Sequence, residues 1–233
     1  MSLSKSLPLH RHPQPHRELA RRWKQYLSQP KFLRALAVST FLLIVAWFVN
    51  YFAIQFATEH ASNSATDIVL SNIPVFDVDV LFVYGTFLFA VLSLAVILAH
   101  PKRVPFAFKT VALFWIIRSV FASLTHLAPF EAHYASEFGP TITNMFFGGD
   151  LFFSAHTGMP FLGALAFWKE KGLRTVCLIG SAFFAVIVLL GHVHYTIDVV
   201  SAFFITYGIF HIAEWLFPKD RALFYSDVPD DIH

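Results

Sequence analysis

The chain has little charge and almost no cysteine for its length. Of its 233 residues only 14% are charged while 56% are hydrophobic, and Cys177 is the single cysteine. One thiol excludes an internal disulfide framework, and so low a charged fraction is typical of membrane proteins rather than water-soluble domains. The sequence also lacks an internal repeat and any composition shift that would mark a second domain. It predicts one membrane domain of a few helices.

Six apolar stretches account for most of the chain. They reach or approach the ~20 residues that a membrane-spanning helix needs, and they are too long for strands. The predicted spans are Phe32–Ala57, Val80–Ala99, Phe106–Ala128, Leu151–Trp168, Leu173–Leu190 and Thr196–Phe217. The third span is the least regular, because it carries Lys109 and Arg118. The sequence therefore predicts the all-α class, a polytopic membrane protein built as a bundle of six transmembrane helices.

Basic residues lie on alternate sides of these spans. Lys and Arg are concentrated in the segment 1–31, in the second link with Lys102 and Arg103, and in the fourth link with Lys169, Lys171 and Arg174. The first link (58–79) and the third link (129–150) contain neither residue type. By the positive-inside rule, both termini are expected in the cytoplasm. The first apolar run starts too late and is too long for a signal peptide, so we expect it to be retained as a span.

The chain divides into three segments by composition. Residues 1–31 are polar, basic and rich in proline, which predicts a flexible basic cytoplasmic arm attracted to anionic lipid. Residues 32–217 hold the six spans and form the membrane domain. Residues 218–233 are expected to form a cytoplasmic tail.

Two short histidine-containing stretches stand where hydrophobic runs begin. The first is 149–157 with His156, and the second is 192–199 with His194 and Asp198. An Asp at bilayer depth costs about 2.5–3.5 kcal/mol on insertion scales, so residues of this kind are functional candidates by default. Asp198 lies four residues after His194, which places both on one helical face. With both termini inside, spans four and six begin on the exoplasmic side, so both stretches are predicted to face it.

This pattern favours chemistry on a phosphate group. Helix N-termini present unpaired N–H groups and a partial positive charge, which suits an anionic ligand. One histidine could attack, or activate the attacker, while the other protonates the departing oxygen. Asp198 would fix the tautomer of His194 and stabilise its charged form. The sequence has no Walker-type Gly-Lys loop, so the phosphate donor need not be ATP.

The two stretches carry a family resemblance. They read Gly149-Asp150-Leu151-Phe152-Phe153-Ser154-Ala155-His156-Thr157 and His192-Val193-His194-Tyr195-Thr196-Ile197-Asp198-Val199, with His156 and His194 standing 38 positions apart. In order and spacing they resemble the type 2 phosphatidic acid phosphatase (PAP2) superfamily. Within it they resemble the sphingomyelin synthase branch, whose signature is Gly-Asp, Phe-Ser-Gly-His-Thr and then His-x-His-Tyr-Thr-x-Asp-Val. Ala155 departs from the usual Gly, a small change that a backbone with negative φ tolerates.

The resemblance implies roles for individual residues. It makes His156, His194 and Asp198 a catalytic triad, in which His194 attacks the donor phosphorus to give a phosphohistidine and His156 protonates the leaving diacylglycerol. The predicted substrate-binding residues are Asp150, Ser154, Thr157, Tyr195 and Arg118. For two of these residues an alternative role stays open. Asp150 supports His156 or only caps span four, and Arg118 reaches the phosphate or pairs internally with a carboxylate or a backbone carbonyl. His192 is expected to be a solvated residue at the rim.

The leading expectation is a lipid phosphotransferase that moves a phospho-headgroup from a glycerophospholipid to a lipid alcohol such as ceramide. The Lys-x6-Arg-Pro element of soluble-headgroup phosphatases is missing, which favours the synthase branch. The alternatives are a PAP2-type lipid phosphate phosphatase and a transporter or non-catalytic lipid-binding protein. We expect no metal or cofactor. Membrane lipids are the expected partners, as donor and acceptor, with no nucleic acid, and the sequence does not indicate an oligomer.

Overall fold

A computed structural model describes residues 15–131 and 152–226. This part of the chain contains eight α-helices, two short 3₁₀ turns and no strand, which confirms the all-α class there. The helices are α1 (Pro15–Leu27), α2 (Pro30–Glu59), α3 (Asp79–Leu98), α4 (Val104–Leu124), α5 (Ala155–Ala166), α6 (Lys171–Leu190), α7 (Thr196–Leu216) and α8 (Pro218–Phe224). The 3₁₀ turns are Leu70–Asn72 and Pro101–Arg103.

Five helices of the described part are long and apolar enough to cross a membrane, namely α2, α3, α4, α6 and α7. The outer faces of α2 and α3 expose large apolar side chains, such as Phe41 at 63% and Phe87 at 67%. A helix that is apolar on every side is either buried in a large core or spans a membrane, and these two helices are not buried. The chain is therefore a multi-pass membrane protein.

The predicted fourth span differs most from the structure. Its described part is α5, which has only 12 residues and a length of roughly 18 Å at 1.5 Å per residue. A membrane core of about 30 Å needs a longer helix, so six spans are not confirmed; Leu151, where the predicted span begins, lies outside the described residues. Most residues of α5 are buried, because it packs against α6 and α7 and contacts Phe114 of α4. It is a central helix.

Helix α4 ends at Leu124, four residues before the predicted end of span three at Ala128. Thr125 has an extended backbone, and the following residues pair with the first link instead of continuing the helix. The Ser62 N–H donates to the His126 carbonyl at 2.8 Å, and the Ala128 N–H donates to the Asn63 carbonyl at 3.3 Å. The backbone groups at this end of the bundle are therefore satisfied between loops.

Part of the predicted flexible arm is helical. Residues 15–27 form α1, in which Arg17 and Arg21 lie on one face and apolar side chains on another. The indole Nε1 of Trp23 donates to the carbonyl of Leu98 at the end of α3, at 3.0 Å. Because α1 is amphipathic, it can pack against the bundle, which the prediction of a flexible arm did not foresee. Residues 1–14 lie outside the described residues.

Ion pairs link the elements at the end of the bundle opposite to the starts of α5 and α7. The N···O distances are 2.6 Å for Lys109–Asp220, 2.9 Å for Arg103–Glu170 and 2.6 Å for Arg221–Glu214. The Lys102 ammonium also donates to the Ser226 carbonyl at 2.6 Å. These contacts hold α8 and the described part of the predicted tail (218–226) against α4 and α7. The membrane side that each end faces stays a prediction.

Candidate active site

His194 and Asp198 lie at the start of α7 and are both buried, with side-chain exposures of 3% and 0%. His194 Nδ1 is 3.6 Å from Asp198 Oδ2, which is an ion-pair distance and longer than a hydrogen bond. The same oxygen accepts the backbone N–H of Tyr195 at 2.9 Å. The other oxygen, Oδ1, is buried and has no hydrogen-bond partner among the described residues. Catalytic hydrogen bonds are often long before substrate binds, and this carboxylate can still accept one from His194.

His156 lies in the first turn of α5, beside the ring of His194. The two ring centroids are 6.0 Å apart and the planes are inclined by 53°. Phe82 of α3 packs on His156 with a centroid distance of 4.4 Å. The structure therefore brings together the two imidazoles and the carboxylate that the sequence selected, at one end of the bundle. Their catalytic roles stay predictions.

A main-chain hydrogen bond joins the two histidine-containing stretches. The backbone N–H of Ser154 donates to the carbonyl of Asp198 at 3.1 Å. Ser154 is also the N-cap of α5, since its hydroxyl accepts the N–H of Thr157 at 3.4 Å. On the other side, Ser181 of α6 donates its hydroxyl to the Thr157 carbonyl at 2.8 Å. The starts of α5 and α7 are therefore fixed to each other and to α6.

Arg118 of α4 is 3% exposed and lies beside this junction. Its Nε donates to the carbonyl of Phe153, the residue before Ser154, at 3.0 Å, and its guanidinium lies 5.8 Å from the ring centroid of Trp115. Because α4 ends at Leu124, Arg118 lies about 9 Å from the helix end rather than the roughly 15 Å implied by a span ending at Ala128. Of the two alternatives for Arg118, the structure shows the bond to an internal backbone carbonyl. Contact of Arg118 with a phosphate stays a prediction.

The other predicted substrate-binding residues make contacts within the protein. Tyr195 is 2% exposed, and its hydroxyl donates to the Ala128 carbonyl at 2.9 Å and accepts the Ala65 N–H at 3.0 Å. Ser154 and Thr157 are fully buried. Asp150 lies outside the described residues. Substrate contacts of these residues stay predictions.

Asp67 is not among the residues predicted from the sequence. It lies in the link between α2 and α3 and is 8% exposed. Its Oδ2 accepts the Thr196 N–H at 2.6 Å, and its Oδ1 accepts the Thr196 hydroxyl at 2.8 Å. Oδ1 also accepts the N–H groups of Val69 at 2.9 Å and Leu70 at 3.1 Å. Desolvation opposes ionisation of this carboxyl, but the four hydrogen bonds outweigh it and lower its pKa.

Asp67 also corrects an expectation about the helix N-terminus. The sequence predicts unpaired N–H groups at the start of α7, available to an anionic ligand. In the structure, the N–H groups of Tyr195 and Thr196 are already taken by the carboxylates of Asp198 and Asp67. The only sequence feature that could have marked Asp67 as a candidate is its position in a polar link of a membrane protein.

His192 is buried rather than solvated, with an exposure of 3%. Its backbone φ is 52°, in the left-handed region where histidine is enriched among residues other than glycine. Its ring lies 5.4 Å from that of Phe130 in an edge-to-face arrangement. The prediction of a solvated residue at the rim was therefore wrong, because the left-handed turn directs this side chain inward.

One comparison with known proteins gives a match in this region. Residues 148–215 match the family model described as PAP2 superfamily C-terminal. The match supports membership of the PAP2 superfamily. It covers 68 of the 233 residues, from before α5 to near the end of α7, and so includes α5, α6 and most of α7. No curated protein and no solved structure matches the chain significantly.

The match with the PAP2 superfamily model suggests an activity of the lipid phosphatase or phosphotransferase type. The arrangement of side chains suits such a reaction, because one buried imidazole faces a carboxylate and a second, partly exposed imidazole lies beside it. These are the parts needed for a nucleophile with an orienting acid and for a separate proton donor. Within the described residues, no group of three His, Cys, Asp or Glu side chains could hold a metal ion.

Proposed function

We propose that the protein is a lipid phosphotransferase that moves a phosphocholine or phosphoethanolamine headgroup from a glycerophospholipid to a lipid alcohol such as ceramide. The observation that carries the proposal is the His156–His194 ring separation of 6.0 Å, with Asp198 3.6 Å from His194. At this separation both rings can contact one phosphoryl group, one on the attacking side and one on the leaving side. The site opens on the exoplasmic side, opposite the basic end of the bundle.

The first half of the reaction forms a phosphohistidine. Because Nδ1 of His194 faces Asp198, the attacking atom is the opposite ring nitrogen, Nε2. A phosphorus–nitrogen bond forms while the bond from phosphorus to the diacylglycerol oxygen breaks, and that oxygen takes a proton from His156. Asp198 stabilises the positive charge that develops on the His194 ring.

The second half reverses the roles. The hydroxyl of the acceptor lipid gives its proton to His156, and its oxygen attacks phosphorus. The phosphorus–nitrogen bond breaks, which restores His194. If water takes the place of the lipid alcohol, the same steps release the headgroup phosphate and the protein is a PAP2-type lipid phosphatase. The superfamily match supports either outcome, and the missing Lys-x6-Arg-Pro element favours the transferase.

The test is a turnover assay on purified protein in mixed micelles. Headgroup-labelled phosphatidylcholine or phosphatidylethanolamine is supplied with ceramide, and phosphatidic acid is supplied in a parallel arm. Labelled sphingolipid supports the transferase. Release of inorganic phosphate from phosphatidic acid, with no labelled lipid product from the other donors, identifies the phosphatase and overturns the transferase. Release of phosphocholine or phosphoethanolamine with no labelled lipid product shows hydrolysis by water and also overturns it. No turnover of any lipid favours the transporter or lipid-binding alternative.

Variants assign the chemistry to the site. His194→Ala is expected to lower kcat by about 10³-fold or more, as loss of a catalytic nucleophile does. Asp198→Asn is expected to lower it by up to about 10⁴-fold, through loss of the charge that orients the ring. The matched control is His211→Ala, on the same helix but paired with Glu214 at the opposite end of the bundle, which keeps wild-type turnover. Full activity of His194→Ala would contradict the proposal.

A further inference from the structure

Asp67 joins a distant loop to the start of α7 through two short hydrogen bonds. The partners are both on Thr196, whose N–H and hydroxyl donate at 2.6 Å and 2.8 Å. The two residues are 129 positions apart in the chain. The remaining acceptor capacity of Asp67 is used by Val69 and Leu70 of its own turn. The carboxylate is therefore held rigidly in its loop while it holds Thr196.

Thr196 is the first residue of α7 and stands midway between His194 and Asp198. The first N–H groups of a helix have no partner within the helix. Asp198 accepts one of them, from Tyr195, and Asp67 accepts the next, from Thr196. Two carboxylates, one from α7 and one from the α2–α3 link, thus fix consecutive backbone groups of the segment 194–198.

A second hydrogen bond joins the α2–α3 link to the segment 194–198. The Tyr195 hydroxyl accepts the N–H of Ala65, two residues before Asp67, and donates to the carbonyl of Ala128. The start of α7 is therefore held by hydrogen bonds from the α2–α3 link and from the chain after α4. Helix α5, which carries His156, is joined to α7 at Asp198 through the Ser154 N–H. The loop contacts act on Tyr195 and Thr196 instead, so they fix the part of the segment next to His194.

We propose that Asp67 is a positioning residue that holds the His194–Asp198 pair in the geometry required for attack on phosphorus. The assignment rests on the proposed function, because it gives Asp67 a part in that reaction. Asp67 does not contact the reacting atoms; it acts through Thr196. A displacement of about 1 Å at a reacting group can cost about 10²-fold in rate, so loss of this anchor lowers kcat more than lipid binding.

The experiment compares four variants in the turnover assay, with kcat and KM measured separately. Asp67→Asn is expected to lower kcat by about 10- to 100-fold with KM for the donor lipid unchanged. Asp77→Asn is the matched control, since Asp77 lies in the same link and accepts a backbone N–H at the start of α3, from Asp79 at 3.2 Å; it keeps the wild-type kcat. Thr196→Val removes one donor to Asp67 and is expected to lower kcat less than Asp67→Asn does. Thr196→Ser keeps the hydroxyl donor and is expected to keep the wild-type kcat.

The outcomes separate this assignment from the proposed function. A wild-type protein that turns over neither phosphatidylcholine, phosphatidylethanolamine nor phosphatidic acid overturns the function, and the assignment with it. An active wild type with Asp67→Asn and Thr196→Val both at wild-type kcat overturns the assignment alone. Equal losses in Asp67→Asn and Asp77→Asn, or a loss confined to KM, also overturn it. If Asp67→Asn does not fold, a wild-type kcat for Thr196→Val is sufficient to reject it.

Discussion

Gly158, in the second turn of the helix that carries His156, packs too closely against its neighbours to accept a side chain. A Cβ atom added there would lie 2.7 Å from Thr206 Oγ1 on α7 and 3.1 Å from two ring atoms of Phe114 on α4. Both neighbours are fully buried, with exposures of 0%. Interiors packed this closely have no room into which a neighbour can move. Gly158→Ala therefore forces α5 away from α4 and α7.

The expected cost follows from this geometry. Overpacking of a filled core by a methyl group costs about 1–3 kcal/mol. Replacing glycine by alanine inside a helix returns about 0.5–1 kcal/mol through the backbone, so we expect a net destabilisation of up to about 2.5 kcal/mol. His156 lies two residues before Gly158 on α5, so the same displacement also moves its ring and lowers kcat.

Thermal unfolding midpoints in one detergent, at one scan rate, measure the effect. Gly208→Ala is the matched control, because a Cβ at Gly208 of α7 meets nothing within 4 Å and its midpoint is expected to stay or rise. Adding Thr206→Ala to Gly158→Ala removes the nearest atom and restores part of the loss, since Thr206 Oγ1 has no hydrogen-bond partner among the described residues. A wild-type midpoint for Gly158→Ala, or equal losses at both glycines, would refute the reasoning.

Three further predictions concern the polar anchors. Because folding lowers the pKa of Asp67 from its ordinary 3.8, its stabilisation is present above that pH and lost as pH falls through the folded-state value; Asp67→Asn therefore lowers the unfolding midpoint at pH 7, and the difference from wild type closes in acid titrations. Arg118→Lys loses the Nε bond to Phe153 and should lower kcat in the turnover assay, while the helical circular dichroism spectrum stays that of the wild type. Lys109→Gln leaves Asp220 without its ion-pair partner and should lower stability by about 1–3 kcal/mol with kcat unchanged.

The sequence predicted the long helices well because their apolar runs are long and their ends are marked by charge. The predicted sixth span, Thr196–Phe217, agrees with α7 to within one residue. The predicted span four is longer than α5 at both ends, because the apolar run continues through residues that lie outside the helix. Its true start depends on the Ser154 cap, and its short length on packing inside the bundle.

The candidate site was predictable in part for a related reason. His156, His194 and Asp198 stand in two compact motifs, so a spacing argument finds them. Asp67 belongs to no motif, and its role depends on a contact between residues 129 positions apart. A link residue of this kind can be recognised only when the loop that carries it is seen folded onto the start of α7.

The bond from the Ser154 N–H to the Asp198 carbonyl involves main-chain atoms alone. Side-chain replacement at either position leaves both atoms in place, with proline at 154 as the exception because it lacks the N–H. This link between the starts of α5 and α7 therefore does not depend on which side chain stands at position 154 or 198. A substitution at Ser154 or Asp198 thus tests the lost cap or the lost charge by itself, with this main-chain link kept.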